Sequence, residues 1–219
     1  MPKETFLNIS EAKRMLITEA FLREFALKPF DEASISEVVK QLGIAKGSIY
    51  QYFEDKLDLF LYLLKESSDA KKNYVGDIER GSFPDFWAFF KALFRAGLEF
   101  DKERPLHSHF LFNLIKNLQS PTIEHLYKEM LQGVVLAFEE MVKVEIEKGL
   151  FRNDVSPEIM GFMLYKVGVS IQEQMEYTGI INPKESILNS EPVYQDKEEQ
   201  LMNMVDDYIL LVKPTFDKN

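Results

Sequence analysis

SISEVVKQLGIAKGSIYQYFEDK, residues 34–56, reads as two short helices joined by a tight turn. Ser34-x-x-Glu37 is a capping box, so a helix is expected to start just after Ser34. Ile35, Val38, Val39 and Leu42 then fall at i, i+3, i+4 and i+7 and make one apolar face. Gly43 follows, where a helix C-terminus favours a residue that tolerates positive φ. After Ile44 and Ala45 a second segment runs from Lys46 to Phe53. Ile49 and Phe53 sit four apart and pin it inward, which leaves Lys46, Ser48, Tyr50 and Tyr52 on other faces. That is the layout of a helix-turn-helix, whose second helix lies in the DNA major groove and meets bases with its N-terminal turns.

The run LGIAKGSIYQYFEDKLDL, residues 42–59, resembles the DNA-binding signature of TetR-family transcriptional regulators, with Gly43, Gly47, Tyr50, Tyr52, Phe53 and Lys56 at the expected positions. Departures from the usual pattern are Val38-Val39, Leu42, Pro29 before Phe30, and Ala45. The last matters most, because a hydroxyl there would cap the second helix and its loss costs roughly 1 kcal/mol. The resemblance implies roles for individual positions. Lys46, Gly47 and Ser48 would open the recognition helix, with Lys46 donating to guanine acceptors and Gly47 letting the backbone come close. Tyr50 and Tyr52 would touch phosphates or thymine methyls, and Lys56 would hold a phosphate and fix register. Both tyrosines also have a plain reading as packing against Phe53. Ser34 is a cap that could also meet a phosphate.

Composition bounds the rest. With 219 residues and 46% apolar side chains the chain is long enough and apolar enough for one or two packed domains. The absence of cysteine excludes disulfides, thiolate metal sites and cysteine nucleophiles. No signal-type apolar core opens the sequence and no apolar run approaches a bilayer span, so the expected setting is the cytoplasm, with no membrane partner. Net charge is -10, against the basic footing expected of a DNA binder. Residues 1–56 carry 8 Lys/Arg against 9 Asp/Glu, and the remainder 18 against 27, so the acidity lies mostly outside the reading head. Lys3, Lys13, Arg14, Lys28, Lys40, Lys46 and Lys56 could still form a local footing for phosphates.

The rest of the chain reads as helical throughout, giving an all-α fold. Ile17, Ala20, Phe21 and Phe25 mark a first helix over about 10–27, completing a three-helix head. Leu57, Phe60, Leu61 and Leu64 mark a longer helix from Lys56 to about Tyr74. Later starts are Ser82-x-x-Asp85, a short helix over about 108–117, Ser120-Pro121 before a long helix stopping at Gly149, Ser156-Pro157 with a stop at Gly179, and Asp196-x-x-Glu199 before a last helix to about Val212. Residues 1–55 are thus expected to form the helix-turn-helix DNA-binding domain, and 56–219 a larger helical domain for ligand binding and dimerisation.

Within that larger domain, Gly149-Leu150-Phe151-Arg152-Asn153-Asp154-Val155-Ser156-Pro157 resembles a turn found before the dimerisation helices of TetR-like effector domains. The helix that follows is apolar all round, from Ile159 through Phe162 to Ile171, and the last helix, with Tyr208, is similarly broad. Such helices need covering on every side, which suggests a homodimer through a four-helix bundle. The resemblance also implies a pocket for a small hydrophobic effector, for which the candidates are Trp87, Phe90, Phe94, Phe110, Tyr127, Met130, Met163 and Tyr165, with Asn113, His109 or Gln172 as polar anchor. His107, His109 and His125 lack carboxylates at metal-site spacing, and no metal, cofactor or catalytic residue is assigned. The reading is a DNA-binding regulator, a repressor released from a palindromic operator by its effector. The alternative is a helical protein-interaction module with a constitutive or vestigial reading head.

Overall fold

The computed structural model describes residues 1–116 and 120–218, apart from the side chains of Ile115, Lys116 and Tyr127. Eleven α-helices are described: α1 (Glu4–Leu7), α2 (Glu11–Leu27), α3 (Ile35–Gln41), α4 (Lys46–Tyr52), α5 (Lys56–Val75), α6 (Phe86–Glu103), α7 (Pro105–Lys116), α8 (Glu124–Glu147), α9 (Pro157–Tyr177), α10 (Pro183–Leu188) and α11 (Glu198–Phe216). The described residues contain no strand, only an isolated bridge between Phe151 and Asp217. The all-α expectation holds. The backbone forms two compact units. One comprises Met1–Tyr74, Glu99–Thr122 and Pro183–Val193, and the other Val75–Leu98, Ile123–Asn182 and Tyr194–Asn219. The expected division at 55/56 does not coincide with the bounds of these units.

Helix ends follow the sequence signals where a side chain can reach the backbone. Ser10, Ser34 and Ser156 accept from the amides of Lys13, Glu37 and Ile159 and start α2, α3 and α9. Gly43, Gly149 and Gly179 adopt φ of 65°, 71° and 72° just past α3, α8 and α9, a conformation that costs a residue with a Cβ. Three expected starts are corrected. Ser82 lies in a 3₁₀ turn and does not start α6; Asp85 does, its Oδ1 accepting from the Ala88 amide at 2.8 Å. Ser120 does not cap α8: its hydroxyl is buried without a partner, residues 121–123 form a turn, and the helix begins at Glu124. Asp196 does not cap α11, because its φ of 57° is not that of a cap; Lys197 stands there instead, without a side-chain bond. That helix also runs past Val212, through Pro214, to Phe216. The expected end of the short helix at 117 lies outside the described residues.

The first unit is built on rings. Phe6 is fully buried, with centroids 4.8 Å from Phe53, 5.4 Å from Tyr62 and 5.5 Å from Tyr52. Phe60 meets Phe25, Phe30 and Phe110 at 5.2–5.4 Å. The second unit has its own aromatic centre, where Phe151 stands 5.1 Å from Phe86, 5.8 Å from Trp87 and 5.6 Å from Phe216. The Gly149–Pro157 turn closes on the end of α11: the Arg152 amide donates to Phe216 and the Lys218 amide to Leu150, both at 2.9 Å. In the same unit α8 and α9 pack with backbone against backbone at Gly161. A Cβ built there would lie 2.6 Å from the Glu139 nitrogen.

Candidate nucleic-acid interface

The head is assembled from short helices that could not stand alone. In α3, Ile35, Val38 and Val39 are buried, as their spacing requires. Half of the capping box forms. Ser34 receives the Glu37 amide, but Glu37 turns its carboxylate to Lys28 at 2.6 Å. The reciprocal arm is supplied by Glu24, whose Oε1 accepts from the Ser34 amide at 2.8 Å and from Lys28 Nζ at 2.9 Å. Hydrogen bonds to Glu37 and Glu24 hold the Lys28 ammonium far above its ordinary pKa, so this lysine serves the fold.

Recognition helix α4 is pinned by Ile49, which is fully buried, and followed by Phe53, also fully buried. Ala45 stands at its N-cap with no side-chain bond, the lost hydroxyl read from the sequence. Its C-terminal carbonyls would be orphans without outside donors. The N-terminal segment supplies them: the Lys3 amide donates to Tyr52 O at 2.8 Å, Lys3 Nζ to Tyr50 O at 2.9 Å, and Thr5 Oγ1 to Gln51 O. Lys3, Thr5 and Phe6 are thus positioning residues that sequence reasoning missed. A four-residue helix is too short to show a period, and the only signal available was the Phe6-Leu7 pair after a polar start.

Two expected DNA contacts are corrected. Tyr52 is 6% exposed and packs on Phe6, so the plain reading of this tyrosine holds. Lys56 spends its ammonium on the carbonyls of Ala33 at 2.8 Å and Asp31 at 3.2 Å, and lies 4.8 Å from the Phe30 ring centre. Burial lowers its pKa, the mark of a lysine tied to its own chain. The other positions face outward. Lys46 and Gly47 are exposed, Ser48 is half-buried and Tyr50 is 42% exposed. Among the described residues the side chains of Lys46, Ser48 and Tyr50 make no hydrogen bond within the chain. Lys13 and Lys40 are likewise exposed and without an ion pair, whereas Arg14 donates to Leu7 O at 3.1 Å. Gly47 is the most telling of these. Its φ is not positive and a Cβ there would meet nothing within 4 Å, so nothing inside the chain calls for glycine.

Residues 17–63 match the family profile of bacterial regulatory proteins, tetR family, which spans α3, the turn and α4 as they stand here. Over its whole length the fold is similar to a TetR family transcriptional regulator from Chloroflexus aurantiacus J-10-FL, with a TM-score of 0.79, 25% identity and 100% of each chain covered. The matched segment is the DNA-binding segment of the tetR family, and the whole chain has the fold of a TetR-family regulator. TetR-family proteins are DNA-binding transcriptional regulators and not enzymes, and that is the class of this chain. Among curated relatives, the fatty acid metabolism regulator protein of Bacillus subtilis is 37% identical over 54 residues, 25% of this chain and 28% of that regulator. The SmeT–triclosan complex shares the fold, with a TM-score of 0.64, 12% identity, and 95% and 93% of the two chains covered.

The effector candidates fall in both compact units. Trp87 and Phe90 are buried in the aromatic centre of the second unit, and Trp87 Nε1 donates to Asp217 at 2.9 Å. Phe94 is half-buried with its ring 5.3 Å from Phe90. Met130 and Tyr165 are half-buried, while Met163 is 49% exposed and so is surface. Phe110 belongs to the core of the first unit. The Tyr127 side chain lies outside the described residues. Of the polar anchors, His109 Nε2 is bonded to Glu191 O at 2.9 Å and Asn113 donates to Phe25 O at 3.1 Å, so both are used by the fold. Gln172 is half-buried.

Proposed function

We propose that this regulator binds a palindromic operator as a homodimer and represses until a small hydrophobic effector releases it. The observation that carries the DNA reading is the start of α4, where Lys46, Ser48 and Tyr50 have no work inside the fold and Gly47 has no internal reason to be glycine. Ser34 keeps its cap and can add a phosphate contact. Lys13 and Lys40 supply further positive charge on the same unit.

The dimer reading is supported by apolar side chains left in water. On α9, Ile159, Phe162 and Met163 are 64%, 47% and 49% exposed, and on α11 Leu210 and Leu211 are 73% and 72% exposed. Large apolar groups clustered at helical spacing mark a surface that is covered in use. Tyr208 is a weaker interface residue, because it is half-buried and donates to Gln174 Oε1 at 2.8 Å. Binding of a small effector is supported by the SmeT–triclosan complex, a similar fold in complex with triclosan. An effector acts only by binding the two head arrangements with different affinity. No helix of the described chain is long and apolar enough to cross a membrane, and the cytoplasm is the compartment proposed.

The test is fluorescence anisotropy with the DNA upstream of the protein's own gene, at low and moderate salt. Saturable binding that random DNA does not compete away supports the operator reading. Binding shared with random DNA and erased by salt, followed by failure of site selection from random DNA, sinks it in favour of an interaction module.

A further inference from the structure

The first unit holds an open groove of about 310 Å³ that the operator reading does not use. Leu16 and Leu27 of α2 and Leu106 of α7 give it apolar walls. Glu19, Arg23 and Glu24 of α2 and Gln41 of α3 add the polar groups. The Arg23 guanidinium is already directed to the loop after α10, donating to Ile187 O at 2.7 Å and Ser190 Oγ at 3.0 Å. Glu24 differs from it. Its side chain is 9% exposed, its Oε1 takes two hydrogen bonds, and its Oε2 takes none among the described residues. That second oxygen is not sealed from solvent, so it can take a donor that enters the groove. Its ionic neighbour Lys28 is shared with Glu37, so the site keeps acidic capacity, and Glu19 adds an exposed carboxylate that makes no ion pair among the described residues.

We propose that this groove is a binding site for small primary amines: the ammonium donates to Glu24 Oε2 and faces Glu19, while a short apolar body lies between Leu16, Leu27 and Leu106. The volume stands at the small end of ligand sites, which suits a body of one ring or a short chain. A neutral analogue loses the ionic contact, and a carboxylate meets Glu19 and Glu24 with like charge. The same Glu24 carboxylate holds the amide of Ser34, the N-cap of α3, so the ligand would sit against a group that fixes the helix-turn-helix. The site is separate from the effector reading and stands or falls without an operator.

The experiment is titration of the full-length, ¹⁵N-labelled protein with phenethylammonium, 2-phenylethanol and 3-phenylpropanoate, read by two-dimensional NMR. Expected is saturable binding of phenethylammonium alone, near about 1 mM for nine heavy atoms at ordinary ligand efficiency, with shifts at residues 16–27, 41 and 106. Leu106→Trp, which fills the groove, is expected to abolish it, and Glu24→Gln to weaken it at least about tenfold. Glu24→Gln also loosens α3, so Glu19→Gln at an exposed position serves as the second variant, with a several-fold loss. Equal binding of the alcohol, binding that survives both Leu106→Trp and Glu19→Gln, or no saturable shift at all overturns the proposal.

Discussion

Two glycines divide the molecule by what they answer to. At Gly161 a side chain would strike the backbone of α8, with the Glu139 Cα only 2.8 Å away, so the packing of α8 and α9 demands its absence. At Gly47 a side chain would meet open space, and the helix would gain from it. The first glycine is fixed by the fold of the second unit. The second lies at the start of a helix whose neighbours Lys46, Ser48 and Tyr50 are also idle within the chain. Gly97, Gly133 and Gly168 are open in the same way, so open space alone does not mark a contact; Gly47 differs in standing beside these three outward side chains, and the proposal is that DNA comes close there.

The comparison can be broken at its strong end first. Gly161→Ala is expected to cost roughly 3 kcal/mol, because backbone cannot rotate away as a side chain can, and a lowered urea midpoint at unchanged slope would register it. Stability within about 0.5 kcal/mol of the parent would show that α8 and α9 part cheaply. Next comes the apolar surface of α9. Phe162→Asp places a charge on the proposed interface and is expected to give monomers in sedimentation with the head still folded; a dimer of undiminished affinity would remove this face from the interface.

At the DNA end, Lys46→Ala is expected to lower operator affinity about tenfold or more, by roughly 1–3 kcal/mol if the lysine reads a base. If it holds a phosphate instead, the loss is uniform over sequences and the salt slope falls by about 1. An unchanged binding curve takes Lys46 out of the interface. The smallest effect is set at the back of the same helix. Thr5→Ala removes one donor from the α4 carbonyls, at about 1 kcal/mol, and should lower stability and operator affinity together. Loss of affinity with no loss of stability would mean that Thr5 touches DNA itself.

Much of this architecture was legible in the sequence because its signals are local. Ser34 and Ser156 could be read as caps and Gly43, Gly149 and Gly179 as stops, since one residue type at one offset satisfies the backbone there. Signals failed where the partner is distant in sequence. Nothing near Lys56 tells that Ala33 and Asp31 will claim its ammonium, and nothing near Glu37 tells that Lys28 will draw it from the capping box. The support of α4 by Lys3 and Thr5 spans more than 45 residues and leaves no periodic trace. The aromatic residues of α6 mislead in another way: Trp87 and Phe90 have the composition of a ligand pocket, yet they fill a centre closed by Phe151 and Phe216. Composition reports that rings are gathered, not whether they enclose space.

The central claim is that Gly47 is kept for DNA. Its direct test is Gly47→Ala, followed by chemical unfolding and by anisotropy on operator DNA. The account expects a head as stable as the parent or more so, by up to about 1 kcal/mol, that has lost at least about tenfold in operator affinity. A variant that binds the operator as the parent does, or one that unfolds, would contradict it.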